Sequence, residues 1–143
     1  MKISNGTCLV IDQFYGNSFS PIPKQIGLLG AYWYQFWNKT DYALIAYSVH
    51  HLITFVQALD QWLKVFEPYS NNTELNALIA PIKKHITQLD CLRVDSKDLK
   101  KDPQAVLELG YFFYYQYKAQ LKNLQNHFYV VDAYYSMATA IQE

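Results

Sequence analysis

The chain has 143 residues, 51% of them hydrophobic and 17% charged, and its 12 Lys and Arg balance its 12 Asp and Glu. That length and apolar content suit a single domain with a real core, and zero net charge excludes a global field drawing it to nucleic acid or anionic lipid. Arg93 is the lone arginine, which disfavours bidentate reading of bases or phosphates as well.

Residues 1–23 differ from the rest. Thr7–Tyr15 (TCLVIDQFY) is short and β-prone and runs into the breakers Gly16-Asn17-Ser18 and Pro21-Ile22-Pro23, which predicts a short strand or an extended, irregular arm. No basic region followed by an apolar run opens the chain, so no signal peptide is expected. Cys8 and Cys91 lack CxxC spacing, which fits a reducing compartment or simple chance; a cytoplasmic location is expected. Sequons at Asn5, Asn38 and Asn71 matter only in a secreted chain. A short aromatic helix, weakened by Gly27 and Gly30, is predicted over about 24–37. Its run Ile26–Trp37 is too short to span a bilayer, which takes roughly 18 to 20 apolar residues, so no membrane span is expected there. A buried helix or a surface covered by another domain is the ordinary reading, and a position at a membrane interface the alternative. Residues 1–37 are thus an arm plus a short helix on a helical core over 38–143.

In that core, Asn38–Asp41 offer a polar cap and a first-turn acid to a helix in which Leu44, Tyr47, His51, Phe55, Ala58, Trp62 and Phe66 recur every three or four residues. Pro68 ends it, and Ser70-Asn71-Asn72-Thr73 makes the next turn and cap. From Glu74 to Leu89 the spacing is again helical, with a kink expected at Pro81. Asp90–Asp102 is charged and without period, hence a loop. Asp102-Pro103 is a good helix start. Beyond it Val106, Leu109, Phe113, Tyr117, Leu121, Leu124, Phe128, Val131, Tyr135 and Ala138 predict a helix of about 40 residues, some 60 Å long if unbroken. Any bend is expected at Asn123–His127. The whole predicts an all-α helical bundle with a long C-terminal helix and a short irregular or β-like N-terminal arm.

Chemistry-bearing patterns are sparse. His50 and His51 are adjacent, so on a helix they point about 100° apart and do not easily share one ion. His85 and His127 stand alone in sequence. No Gly-x-Ser-x-Gly elbow, phosphate-cradling Gly-rich loop or carboxylate pair is present, so no catalytic residue, metal ligand or cofactor is assigned. Lys97, Lys100 and Lys101 are interleaved with Asp95, Asp98 and Asp102, which nearly cancels their charge. The run Tyr111-Phe112-Phe113-Tyr114-Tyr115-Gln116-Tyr117 puts rings on every side of one helix, which suits a central bundle helix or a docking face. Base stacking is a weaker option, since no basic groove accompanies the rings. Tyr111, Tyr114, Tyr115, Tyr134 and Tyr135 are the expected contacts with another domain or a homodimer partner.

The last stretch, Phe128-Tyr129-Val130-Val131-Asp132-Ala133-Tyr134-Tyr135-Ser136-Met137-Ala138, resembles a segment of MutS-type DNA mismatch repair proteins. There a long helix ends in an apolar residue, Asp, three mostly apolar positions, Ser, Leu and Ala, just ahead of the ATPase domain. Val131, Asp132, Ser136, Met137 and Ala138 fit, with Met137 in place of Leu. The order of helices from Thr40 to Glu143 is similar to that family's helical core, or lever. The resemblance implies a fragment that transmits motion between an ATPase following Glu143 and a DNA-facing part elsewhere. Such a fragment binds neither ATP nor, with any strength, DNA by itself; both would engage only the parent protein. A free-standing helical module that self-associates through aromatic faces is the rival expectation.

Overall fold

A computed structural model describes residues 5–69, 71–87, 89 and 94–142; of Asn5, Tyr69, Ser96, Ala138, Thr139 and Gln142 it describes the backbone alone. Among these residues the chain is helical, with no strand. Seven α-helices follow in order: α1 Asn5–Gly16, α2 Leu28–Trp37, α3 Lys39–Phe66, α4 Thr73–Ile86, α5 Ser96–Leu99, α6 Pro103–Tyr111 and α7 Lys118–Gln142. A 3₁₀ turn, Glu67–Tyr69, closes α3, and a π-helical turn, Phe112–Gln116, joins α6 towards α7.

The centre is α3, which packs against α1, α2, α4 and α6, while α7 lies along α4. Its buried residues Ile45, Val49, Leu52, Ile53, Phe55, Val56 and Leu59 fall within an arc of about 160° at 100° per residue, one broad apolar face that its neighbours cover. By length and composition α3 could also cross a membrane, but 56% of its apolar window is buried inside the protein. Phe128 of α7 sets its ring edge-on to Phe55 and Trp62 at 6.0 and 6.1 Å, tying α7 to the same core.

The stretch read as a strand or arm is α1. Thr7, Cys8, Ile11, Phe14 and Tyr15 are buried, a spacing that fits one helical face and overrides β-prone residue types. Residues 17–27 are irregular and pinned by side chains. Ser20 donates its N–H to Asp41 Oδ2 at 2.9 Å, and the Tyr34 hydroxyl donates to the Ser20 carbonyl at 3.0 Å. Asp41, expected as a first-turn acid of α3, therefore also anchors this segment. Asn38 makes no side-chain cap bond and instead forms the one-residue corner between α2 and α3.

The other helix starts follow their sequence signals. Asn72 Oδ1 accepts from Glu74 N and Leu75 N at 3.1 Å, and Asp102 Oδ1 from Ala105 N at 3.1 Å beside Pro103. The helix α4 continues through Pro81. Part of the 90–102 loop, residues 90–93, lies outside the described residues, and the remainder carries the short α5, capped by Asp95.

The expected 40-residue helix is interrupted. Tyr117 N–H bonds to the Phe112 carbonyl, five residues back, at 2.9 Å, and Tyr117 leaves helical geometry at φ −119°, ψ 9°. The break thus falls at 112–117, ahead of the expected 123–127, which is regular helix. Tertiary contacts hold it there: Tyr15 donates its hydroxyl to the Phe113 carbonyl at 2.8 Å, and Tyr117 donates to the His85 carbonyl at 3.0 Å.

Candidate interaction surfaces

The π turn explains why rings occur on every side of the 111–117 run. Phe113 and Tyr117 turn into the core. Tyr114 is half-buried, edge-on to Phe14 at 5.4 Å and to Phe19 at 5.4 Å, and donates its hydroxyl to the Asn17 carbonyl at 2.6 Å. Tyr111 is half-buried and packs on Tyr115 at 4.9 Å. Tyr115 is exposed, yet its hydroxyl accepts from Ile22 N–H at 3.5 Å. Tyr111, Tyr114 and Tyr115, expected as partner contacts, therefore engage their own chain, two of them residues 17–22. Tyr134 and Tyr135 are exposed on α7.

Among the described side chains, burial along α7 stops at Val131. The predicted core stripe continues through Tyr135 and Ala138; Tyr135 is exposed, and the Ala138 side chain lies outside the described residues. Asp132, Ser136 and Met137, which complete the MutS-like pattern with Val131, are exposed as well. A second stripe emerges on this exposed segment: Val130, Tyr134, Met137 and Ile141 are all exposed large apolar residues, Met137 at 67% and Ile141 at 83%. Their steps of four, three and four residues are legible in the sequence, where the deeper stripe beside them masks them.

The other surface is α2. Leu28, Leu29, Tyr32, Trp33, Phe36 and Trp37 are exposed, while Ala31 and Tyr34 hold the helix to the body. At 100° per residue those six side chains cover about half the helix circumference. The helix thus turns its apolar face outward, the reverse of an ordinary surface helix. The rings brace one another, Trp33 against Trp37 at 5.6 Å and Phe36 against Trp37 at 5.4 Å, both edge-on. A groove of about 880 Å³ runs between α2 and α3, walled by Leu29, Tyr32, Phe36, Tyr42 and Ala43. Lys39 stands at it with Nζ 5.7 Å from the Phe36 ring, a cation–π contact.

No family model matches the chain, and no curated protein or solved structure shows significant similarity to it.

Titratable groups gather in three places. His50 and His51 sit edge-on at 5.7 Å, and His51 also meets Tyr47 at 4.6 Å. Burial, and then the neighbouring His50, hold His51 below its usual range. Nδ1 of His50 is buried without a hydrogen-bond partner. His85 and His127, far apart in sequence, meet between α4 and α7: burial first, then His127 and Lys84, lower the His85 pKa. Tyr129 is pushed up to about 12, first by a hydrogen bond with the buried Cys8 and then by desolvation. Among the described residues no three His, Cys, Asp or Glu side chains converge as metal ligands would.

Proposed function

We propose that this chain is a helical protein–protein interaction module that pairs with a second copy through the C-terminal half of α7. The stripe Val130, Tyr134, Met137 and Ile141 carries this reading. Its period of 3.5 residues is the seam of a two-helix coiled coil. A second copy supplies the complementary surface because a two-fold axis sets the same patch against itself. Small residues Ala133 and Ala140 flank the seam, and Asp132 is the lone Asp, Glu, Lys or Arg from Asn123 to Gln142, so little charge opposes close approach. Four seam residues make a small contact, which implies weak, concentration-dependent pairing.

Sedimentation equilibrium over a range of concentrations tests this. The mass of the wild-type chain should climb towards twice the monomer value, and Met137→Lys with Ile141→Lys should hold it at the monomer value with helicity unchanged, both positions being solvent-facing. A wild-type chain that remains monomeric at every concentration sinks the proposal.

A second reading keeps the MutS-like lever, in which the same part of α7 docks on an ATPase domain of a larger, cytoplasmic parent protein. It is favoured by the place where α7 leaves the body: Val131 is the last buried side chain among the described residues and also the first of the MutS-like pattern. An element handing motion to a further domain would leave its own core in that way. The π turn at Phe112–Gln116 would then be a hinge within the lever. Neither reading asks for a cofactor or a catalytic group in this chain. A native reading frame that continues past Glu143 to a Gly-x-x-x-x-Gly-Lys-Ser/Thr loop supports the lever; a stop codon there removes it.

A further inference from the structure

We infer that the outward face of α2 seats the protein on an anionic lipid bilayer surface, on a side of the molecule separate from the α7 seam and independent of it. The residue types come first. Trp33, Trp37, Tyr32 and Phe36 stand exposed beside Leu28 and Leu29, with Trp33 at 65%, Phe36 at 60% and Trp37 at 64%. Trp and Tyr favour the boundary between headgroups and acyl chains because each joins a large apolar ring to a polar tip. A helix of ten residues, about 15 Å long, cannot span but can lie in that boundary with half its circumference immersed.

Charge then selects the occupant. From Gln13 to Thr40 the sequence has no Asp or Glu, and Lys24 and Lys39 bracket the aromatic run. The nearest following acid, Asp41, already accepts the Ser20 N–H at 2.9 Å. Lys39 lies on the face itself, over the Phe36 ring. A second copy docked here would set two such lysines against each other, a like-charge contact with no counter-charge on the α2 run itself. Phosphate and carboxylate headgroups supply that missing charge, since lysines near an anionic surface are attracted to it. The groove behind the face has an apolar wall of Leu29, Tyr32 and Phe36 with Lys39 at its side, an arrangement that accepts an acyl segment below and a headgroup beside it.

The test mixes the full chain with phosphatidylcholine vesicles and with phosphatidylcholine/phosphatidylserine vesicles, pellets them, and records tryptophan emission. The wild type should pellet with the vesicles, more completely when phosphatidylserine is present, and its emission should shift to the blue as Trp33 and Trp37 leave water. Trp33→Ser with Phe36→Ser should weaken partitioning roughly tenfold or more while far-UV circular dichroism stays unchanged. Lys24→Gln with Lys39→Gln should abolish the preference for phosphatidylserine. A wild type left in the supernatant with both vesicle types overturns the inference, as does a Trp33→Ser/Phe36→Ser chain that pellets like the wild type. A chain that ignores vesicles but loses self-association through that same double substitution would make the face a contact between copies, and the lipid assignment would fall.

Discussion

Tyr15, Tyr34, Tyr114 and Tyr117 each donate a hydroxyl hydrogen bond to a backbone carbonyl, reaching residues 98, 14, 97 and 32 positions away. Such bonds contribute about 1 kcal/mol each in net terms, and an orphaned buried partner costs more. Burial also keeps two of these phenols neutral: desolvation raises Tyr15 well above the ordinary range and, with Asp41 nearby, pushes Tyr34 up to about 12. The composition announced that many Tyr hydroxyls needed partners; it could not say which carbonyls, because those partners exist only once distant segments meet. Gly110 is the other residue whose role is spatial. A Cβ there would stand 2.7 Å from Ile45 Cγ2, and Ile45 is fully buried and β-branched, with little room to yield. Gly110→Ala should therefore cost about 1–3 kcal/mol through overpacking, offset in part by a helix-propensity gain of up to ~1 kcal/mol. Urea denaturation should show a lower midpoint for Gly110→Ala. Gly16→Ala, where nothing lies within 4 Å, should show no such packing loss.

Among the elements, the π turn has the clearest physical origin. Leu109, Phe113, Tyr117 and Leu121 are separated by three successive gaps of four. On a regular helix each such gap drifts about 40° past a full turn, so three of them would carry Leu121 roughly 120° off the packed face. One inserted residue, the content of a π turn, takes up most of that drift and lets Phe113, Tyr117 and Leu121 all stay buried. Deleting Gln116, which stands for that inserted residue, should restore a continuous α-helix with the Leu121, Leu124 and Phe128 stripe still within about 20° of its packed face. We expect a loss of only about 1–3 kcal/mol, from the hydrogen bonds and packing around the turn, read from thermal melts followed by circular dichroism. The signal is present in the sequence but merges into one stripe when spacings of three and four are pooled. The helix α1 was hidden differently: Cys8, Ile11 and Phe14 recur every three residues, yet Val10, Ile11 and the nearby breakers suggest a strand when weighed as residue types. The caps at Asn72 and Asp102 were legible because they act within four residues of themselves. The α2 face was visible as composition and not as orientation, since the side that Ala31 and Tyr34 bury is fixed by the body beneath them.

In the whole molecule, apolar burial dominates and charges contribute little. Lys64 and Asp60 pair at 3.5 Å one turn apart on α3, with Lys64 largely in solvent, an arrangement worth a few tenths of a kcal/mol at most. The ionisable groups that matter to stability are histidines. His51 and His85 titrate below their ordinary value of 6.5 in the folded protein. As pH falls below about 6.5 the unfolded chain therefore takes up protons before the folded one does, so stability is full above that pH and declines through the window beneath it. Urea midpoints should drop between about pH 7.5 and about pH 5.5, and His51→Gln with His85→Gln should remove part of the drop. An unchanged slope in that variant would mean other groups set the pH response.

The docking of α1 bears on how the chain is made. Its Asp12 is reached by Gln125 Nε2 across 113 residues, at 3.4 Å, and its Tyr15 by the Phe113 carbonyl. A ribosome adding roughly 5 to 20 residues per second needs about 6 to 23 seconds to supply that stretch. For much of that time α1 has α3 to pack against, but Phe14 lacks the Tyr114 ring that meets it. Nascent α1 is thus only partly covered until α6 and α7 follow, which leaves it open to capture by a chaperone.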